Sequence, residues 1–162
     1  MATFTVDTKA LNAIQNKFKQ TAELYKAYAI KEVDKAVKAM EVEARAKAGN
    51  LPRLKSNAKK PYTRTGNLSR SIASTPYQNG YASFSMGNST VKYAPYVEFG
   101  TGGGFRIPNY KFSTRKPLKN LASEFKGSGL RNYNMKYRPF FFNTFDEKFA
   151  TLLNTLKSFK VR

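Results

Sequence analysis

The chain has no cysteine, no histidine and no tryptophan, and acids are scarce: 10 Asp and Glu stand against 29 Lys and Arg in 162 residues. Without thiols or imidazoles there is no disulfide, no thiolate nucleophile, no Cys/His zinc site and no triad that uses histidine as its base. The lack of disulfides favours synthesis in the cytosol. No apolar run approaches the ~20 residues of a membrane-spanning helix, and the opening Met-Ala-Thr-Phe-Thr-Val-Asp lacks the basic start and apolar stretch of an export signal. A soluble protein with no membrane partner is the expectation.

Carboxylates are the remaining catalytic resource, and they are badly placed for catalysis. Glu41 and Glu43 fall on different sides of a helix, and Asp146 and Glu147 are adjacent, so no set has metal-ligand spacing. Gly102-Gly103-Gly104 is not followed by the Lys-Ser/Thr of a phosphate-binding loop and reads as a hinge. The chain is therefore expected not to be an enzyme, with no catalytic residue, no metal and no cofactor.

What the chain has in excess is positive charge. The net charge of +19 calls for a polyanionic or acidic partner. Residues 45–70 hold eight basic side chains and no acid, and residues 102–138 hold nine with only Glu124 against them. In the second stretch rings alternate with cations, as in Phe105-Arg106, Tyr110-Lys111-Phe112 and Arg131-Asn132-Tyr133, the composition of grooves that stack and neutralise nucleic acid. Lys59, Lys60, Arg106, Lys111, Arg115 and Lys116 are the candidate contacts to DNA or to an acidic protein. Arms that wrap a neighbouring subunit use the same composition.

A length of 162 residues with 41% hydrophobic content suits one domain, 1–162. Residues 2–6 alternate as a short edge strand, and Asp7-Thr8 offers cap oxygens for a helix. Lys9 to Ala48 contains no proline or glycine, which predicts one long helix or two, with a break around Gln20 to Ala22 where the apolar face slips. Gly49 suits a left-handed helix end, and Pro52 forbids continuation. A basic excursion follows over about 50–64. Two β-favouring runs, Leu68 to Thr75 and Tyr81 to Gly87, flank a hairpin signal at Asn79-Gly80. In the second run Ala82, Phe84 and Met86 share the apolar face. A second basic excursion spans 102–137. Phe145, Phe149, Leu152, Leu153 and Leu156 then form one helical stripe. The expected fold class is α+β, with a long N-terminal helix and a C-terminal helix packed on a small, mostly antiparallel sheet.

Three motifs stand out. In Tyr93-Ala94-Pro95-Tyr96-Val97-Glu98-Phe99-Gly100-Thr101, Pro95 fits the first turn of a short helix and Gly100 its left-handed end. Glu98 sits among apolar residues and needs a cationic or hydrogen-bonding partner, with Arg64 and Arg70 as candidates. In Arg64-Thr65-Gly66-Asn67-Leu68, Leu68 and Ile72 anchor a turn that enters ordered structure. In Arg138-Pro139-Phe140-Phe141-Phe142, three consecutive rings cannot share one face, so at least one meets another element or another chain.

In this order and spacing the motifs resemble the tail-completion proteins of tailed bacteriophages, which join head and tail at the neck. The resemblance covers nearly the whole chain. It departs from the family pattern at Phe141-Phe142, where a Leu and a small residue are common, and in the long segment 102–137. It implies a structural virion protein made in the host cytoplasm, a homo-oligomeric ring of six that completes the tail and meets the head connector or stopper on one side and tail terminator or tube proteins on the other. The genome would pass through the ring. Tyr93, Tyr96, Val97, Glu98, Phe99, Arg138 and Phe140 are the candidate subunit or partner contacts. The alternative is a free basic nucleic-acid-binding protein, although no base-reading module is recognisable.

Overall fold

A single helix, α1, runs without a break from Thr8 to Gly49, about 63 Å at 1.5 Å per residue. The computed structural model describes residues 8–51, 66–100, 104, 106 and 136–160. The strand expected over residues 2–6 lies outside them, as do nearly all of both basic excursions. After α1 come a helical turn α2 (Asn67–Arg70), strands β1 (Ile72–Gln78) and β2 (Tyr81–Met86), a short helix α3 (Ala94–Phe99) and the C-terminal helix α4 (Phe141–Lys157). The class is α+β, with two long helices and a two-stranded antiparallel sheet.

The break expected near Gln20 to Ala22 does not occur. A slip in the apolar face costs nothing where no surface fixes the helix phase, and residues 11–20 are all exposed. Good helix formers then carry the helix through. Gly49 does not take the left-handed conformation; it is the last helical residue, and the Asn50 N–H is shared between the Ala46 and Lys47 carbonyls at 3.1 and 3.2 Å.

Most described contacts to α1 fall on its C-terminal half. Three side chains along it fasten β1: Asp34 Oδ1 accepts the Tyr77 N–H at 2.5 Å, Glu41 Oε2 accepts the Ser74 hydroxyl at 2.6 Å, and Arg45 Nε donates to the Ile72 carbonyl at 2.9 Å. The order of these contacts makes β1 antiparallel to α1. The strand continues past Thr75, where the β-favouring run was expected to stop, to Gln78. Pro76 and Tyr77 sit in a bulge between Thr75 and Gln78, and α1 takes up the Tyr77 N–H that the ladder gives up there. At the hairpin tip Asn79 (φ 51°) and Gly80 (φ 91°) are both left-handed, as the two-residue turn requires. The segment expected to begin a strand at Leu68 instead makes one helical turn. Gly66 enters it at φ 70°, and the Ser71 hydroxyl donates back to the Leu68 carbonyl.

The core lies where α1, the sheet and the start of α4 meet. Ala44 and Ala48 of α1 are small enough for Ile72, Phe140 and Phe141 to approach, and Leu51, Leu68, Phe84, Met86, Val97 and Phe142 close the rim. The rings of Phe84 and Phe141 stack with centroids 4.1 Å apart.

α4 runs antiparallel along α1. Lys148 meets Glu43 at 2.6 Å, Lys47 bridges Glu43 and Glu147 at 2.7 and 3.1 Å, and farther along the Tyr28 hydroxyl donates to the Thr155 carbonyl while Phe159 packs on Tyr25 and Tyr28. Hydrogen bonds from Lys148 and then Lys47 hold the Glu43 carboxyl at a pKa of about 2 against its ordinary 4.5. Glu41 is lowered as well, first by the Ser74 hydroxyl and then by Lys38. A depressed acid stabilises the fold above its unfolded pKa and ceases to do so as pH falls through the folded one. Stability should therefore decline from pH about 4.5 towards pH about 2. The Glu43 share of that loss is at most about 3 kcal/mol and about 1 kcal/mol once solvent at the partly exposed lysines is allowed for. Thermal melts across this range should show a shallower acid limb for Glu43→Gln; an unchanged limb would remove Glu43 from the explanation.

Candidate assembly site around Glu98

α3 is built as its sequence suggests. Pro95 occupies the first turn, where a missing N–H costs nothing, and Gly100 leaves the helix at φ 75° with its N–H on the Tyr96 carbonyl at 2.9 Å. This single turn turns Ala94, Glu98 and Phe99 inward, and all three are buried.

The Glu98 carboxylate is fully buried, and its partners are backbone N–H groups of the RPF motif. Oε2 accepts from Phe140 at 3.0 Å and Phe141 at 3.1 Å, and Oε1 accepts from Phe142 at 3.1 Å. These are donors at the start of α4, which its own turns cannot satisfy. The residue at the cap position, Phe140, has no side-chain acceptor, and the first turn of α4 carries no acid. Glu98, from a different element 42 residues earlier, supplies both the acceptors and the negative charge that a helix N-terminus favours. Of the expected cationic partners, Arg64 lies outside the described residues, and Arg70 donates to Asn67 Oδ1 at 2.8 Å.

The backbone reinforces the junction. The N–H of Arg138 donates to the Val97 carbonyl at 3.0 Å, that of Arg106 to Phe99 at 2.8 Å, and that of Tyr137 to Gly104 at 3.1 Å. The three consecutive rings are divided among neighbours: Phe140 is buried in the core, Phe141 stacks on Phe84, and Phe142 lies 5.8 Å from Phe99. All of these neighbours belong to the same chain.

The expected contact residues thus separate into two groups. Glu98, Phe99 and Phe140 are spent on the interior, at 0%, 1% and 2% exposure. Tyr93 is exposed, while Tyr96, Val97 and Arg138 are half-buried around the junction. Among the expected cationic contacts, Arg106 is exposed, with its guanidinium 5.9 Å from the centre of the Tyr137 ring. Lys59, Lys60, Lys111, Arg115 and Lys116 lie outside the described residues. Sequence reasoning missed the pairing of Glu98 with α4; the signal for it was the absence of any capping side chain at Pro139-Phe140.

Six of the acids among the described residues serve the fold. Glu32, Glu41, Glu43 and Glu147 pair with lysines or arginine, Asp34 holds β1, and Glu98 holds α4. Lys17, Lys19, Lys26, Lys31, Lys92, Lys136, Lys157 and Lys160 are exposed. Among the described residues no three acids gather as metal ligands, and no helix is long and apolar enough to cross a membrane. Compared with known proteins, the chain matches no family model, no curated protein and no solved structure.

Proposed function

We propose that the chain is a structural subunit of a tailed-phage neck, which assembles into a ring that completes the tail and joins it to the head connector. The observation that carries this reading is the bond between Glu98 and the N–H groups of Phe140, Phe141 and Phe142. The two most specific motifs of the resemblance, far apart in sequence, are two halves of one structural device. The one carboxylate in the apolar motif is committed to scaffolding, in keeping with a role in assembly. Tyr93 is exposed and lies beside the half-buried Tyr96, Val97 and Arg138, and this is the face assigned to a subunit or neck partner.

The distribution of charge favours the same setting. Several acids of the described residues are paired with lysines or arginine, other described lysines are exposed, and the chain as a whole carries +19, suited to acidic faces of adjoining rings or to the genome in the channel. In a joining assay, the protein added to tails that lack it should co-sediment with them and restore attachment of filled heads. Failure to bind either tails or heads would end the neck reading. Tight binding of labelled DNA by isolated subunits at ~150 mM salt, with a steep fall on adding more, would favour a free nucleic-acid-binding protein instead.

A further inference from the structure

Among the described residues, only β1 pairs with β2, and the other edge of β2 has no strand beside it. The Gly87 N–H donates to the Ser71 carbonyl at 3.2 Å, and with Ala73 paired to Ser85 and Thr75 to Ser83 this sets the alternation of the ladder. The backbone groups of Ser83 and Ser85 face β1, and those of Ala82, Phe84 and Met86 face away from it. The far side of β1 is occupied by α1, through Arg45 on the Ile72 carbonyl and Asp34 on the Tyr77 N–H. Among the described residues β2 has no comparable cover. Its sequence Tyr-Ala-Ser-Phe-Ser-Met contains no charge and no proline, the devices that usually blunt an exposed edge. A two-stranded sheet is also short of the strands that make such an element stable alone.

A second feature lacks a partner among the described residues. α4 covers α1 only as far as Tyr25 and Tyr28, and beyond that Leu11, Ile14 and Phe18 stand exposed at 45%, 53% and 71% on one side of a projecting helix. Directly before this helix lies Thr3-Phe4-Thr5-Val6. Its alternation matches Ser83-Phe84-Ser85-Met86: small hydroxyls on one face, large apolar groups on the other. Paired beside β2, Phe4 and Val6 would extend the apolar face of Phe84 and Met86, and Thr3 and Thr5 the polar face.

That segment cannot reach β2 of its own chain. β2 lies beside the stretch of α1 from Asp34 to Arg45, as the clasp on β1 requires. Asp34 is ~39 Å along α1 from Thr8, whereas residues 2–7, fully extended, span only ~20 Å. We propose that residues 3–6 of one copy add as a third strand to the β2 edge of a second copy, and that the exposed stripe of Leu11, Ile14 and Phe18 follows it onto that neighbour. Such a contact is head-to-tail, so repetition closes a ring or extends a fibre. It specifies how subunits of the proposed ring meet and rests on that reading for its setting.

The test uses the full chain, whose lack of cysteine makes single-cysteine variants unambiguous. Thr5→Cys mixed with Ser85→Cys or Ser83→Cys should give a disulfide-linked two-chain species on mild oxidation, and a chain carrying both cysteines should link between chains, not within one. Deleting residues 2–6 should reduce the oligomer seen by light scattering to the mass of one chain, with the circular dichroism spectrum kept. Ala82→Pro should do the same, since the Ala82 N–H faces outward and the β1 ladder does not use it. Added salt should strengthen the assembly by screening like charges, and nuclease should leave it intact. An intrachain disulfide, an oligomer indifferent to the deletion, or a wild-type chain that stays monomeric at its highest soluble concentration overturns the proposal. An indifferent oligomer that still binds tails would overturn it alone and leave the neck reading standing.

Discussion

Glu98→Gln should lower folding stability by about 3 kcal/mol, a large share of what a domain of this size possesses. Glutamine keeps the volume but offers one oxygen and one NH2 group. The carboxylate now serves three N–H donors with two oxygens, two of them on Oε2. After the change at least one donor must face another donor in a site with no access to water, and the charge that complements the α4 N-terminus is gone. Glu98→Ala should cost more, about 4 kcal/mol, because it also leaves a cavity. Urea unfolding with an unchanged slope is the measurement. A loss below about 1 kcal/mol for both variants would mean that α4 starts as well without its cap.

Phe140→Ala should cost about 4 kcal/mol, and Phe142→Ala about 1–2 kcal/mol, although the two rings are near neighbours in sequence. Phe140 is 2% exposed against Ala44, Ala48 and Ile72, so truncation leaves a void that neither α1 nor β1 can close without losing the contacts between them. Phe142 is half-buried at the rim, beside Phe99 and Phe141, and solvent can fill the space it leaves. Equal losses for the two would contradict this division of the three rings. The comparison is best made by urea unfolding beside the Glu98 variants, since Phe140 contributes both its ring and one of the N–H groups that Glu98 accepts.

The outline of the fold was legible because it depends on local signals. The proline-free run of α1, the Asn79-Gly80 turn, the alternation of β2, and Pro95 with Gly100 in α3 each carry their cause within a few residues. Errors arose where a distant element decides. The slip at Gln20 to Ala22 looked like a break because a globular helix usually must keep its phase, and here residues 11–20 are all exposed, so no described packing demands it. The run was expected to stop at Thr75, and it continues because Asp34, 43 residues away, takes the Tyr77 N–H that the bulge removes from the ladder. The chemistry of the site was half legible. That Glu98 needed a partner followed from its apolar setting; that the partner would be a helix terminus did not, because peptide N–H groups leave no mark in a sequence.

The junction of α3 and α4 has a consequence for how the chain tolerates change. The bonds from Arg106 to Phe99, from Tyr137 to Gly104 and from Arg138 to Val97, together with Glu98 on the start of α4, fix both ends of the intervening segment to the same small platform. With both ends held there, the junction itself sets little constraint on the length of chain that joins Arg106 to Lys136: for any chain closed between two fixed points, doubling the length adds only about 0.6 kcal/mol of closure cost, less than one hydrogen bond to a charged group contributes. The platform should therefore survive changes of sequence length between those two residues.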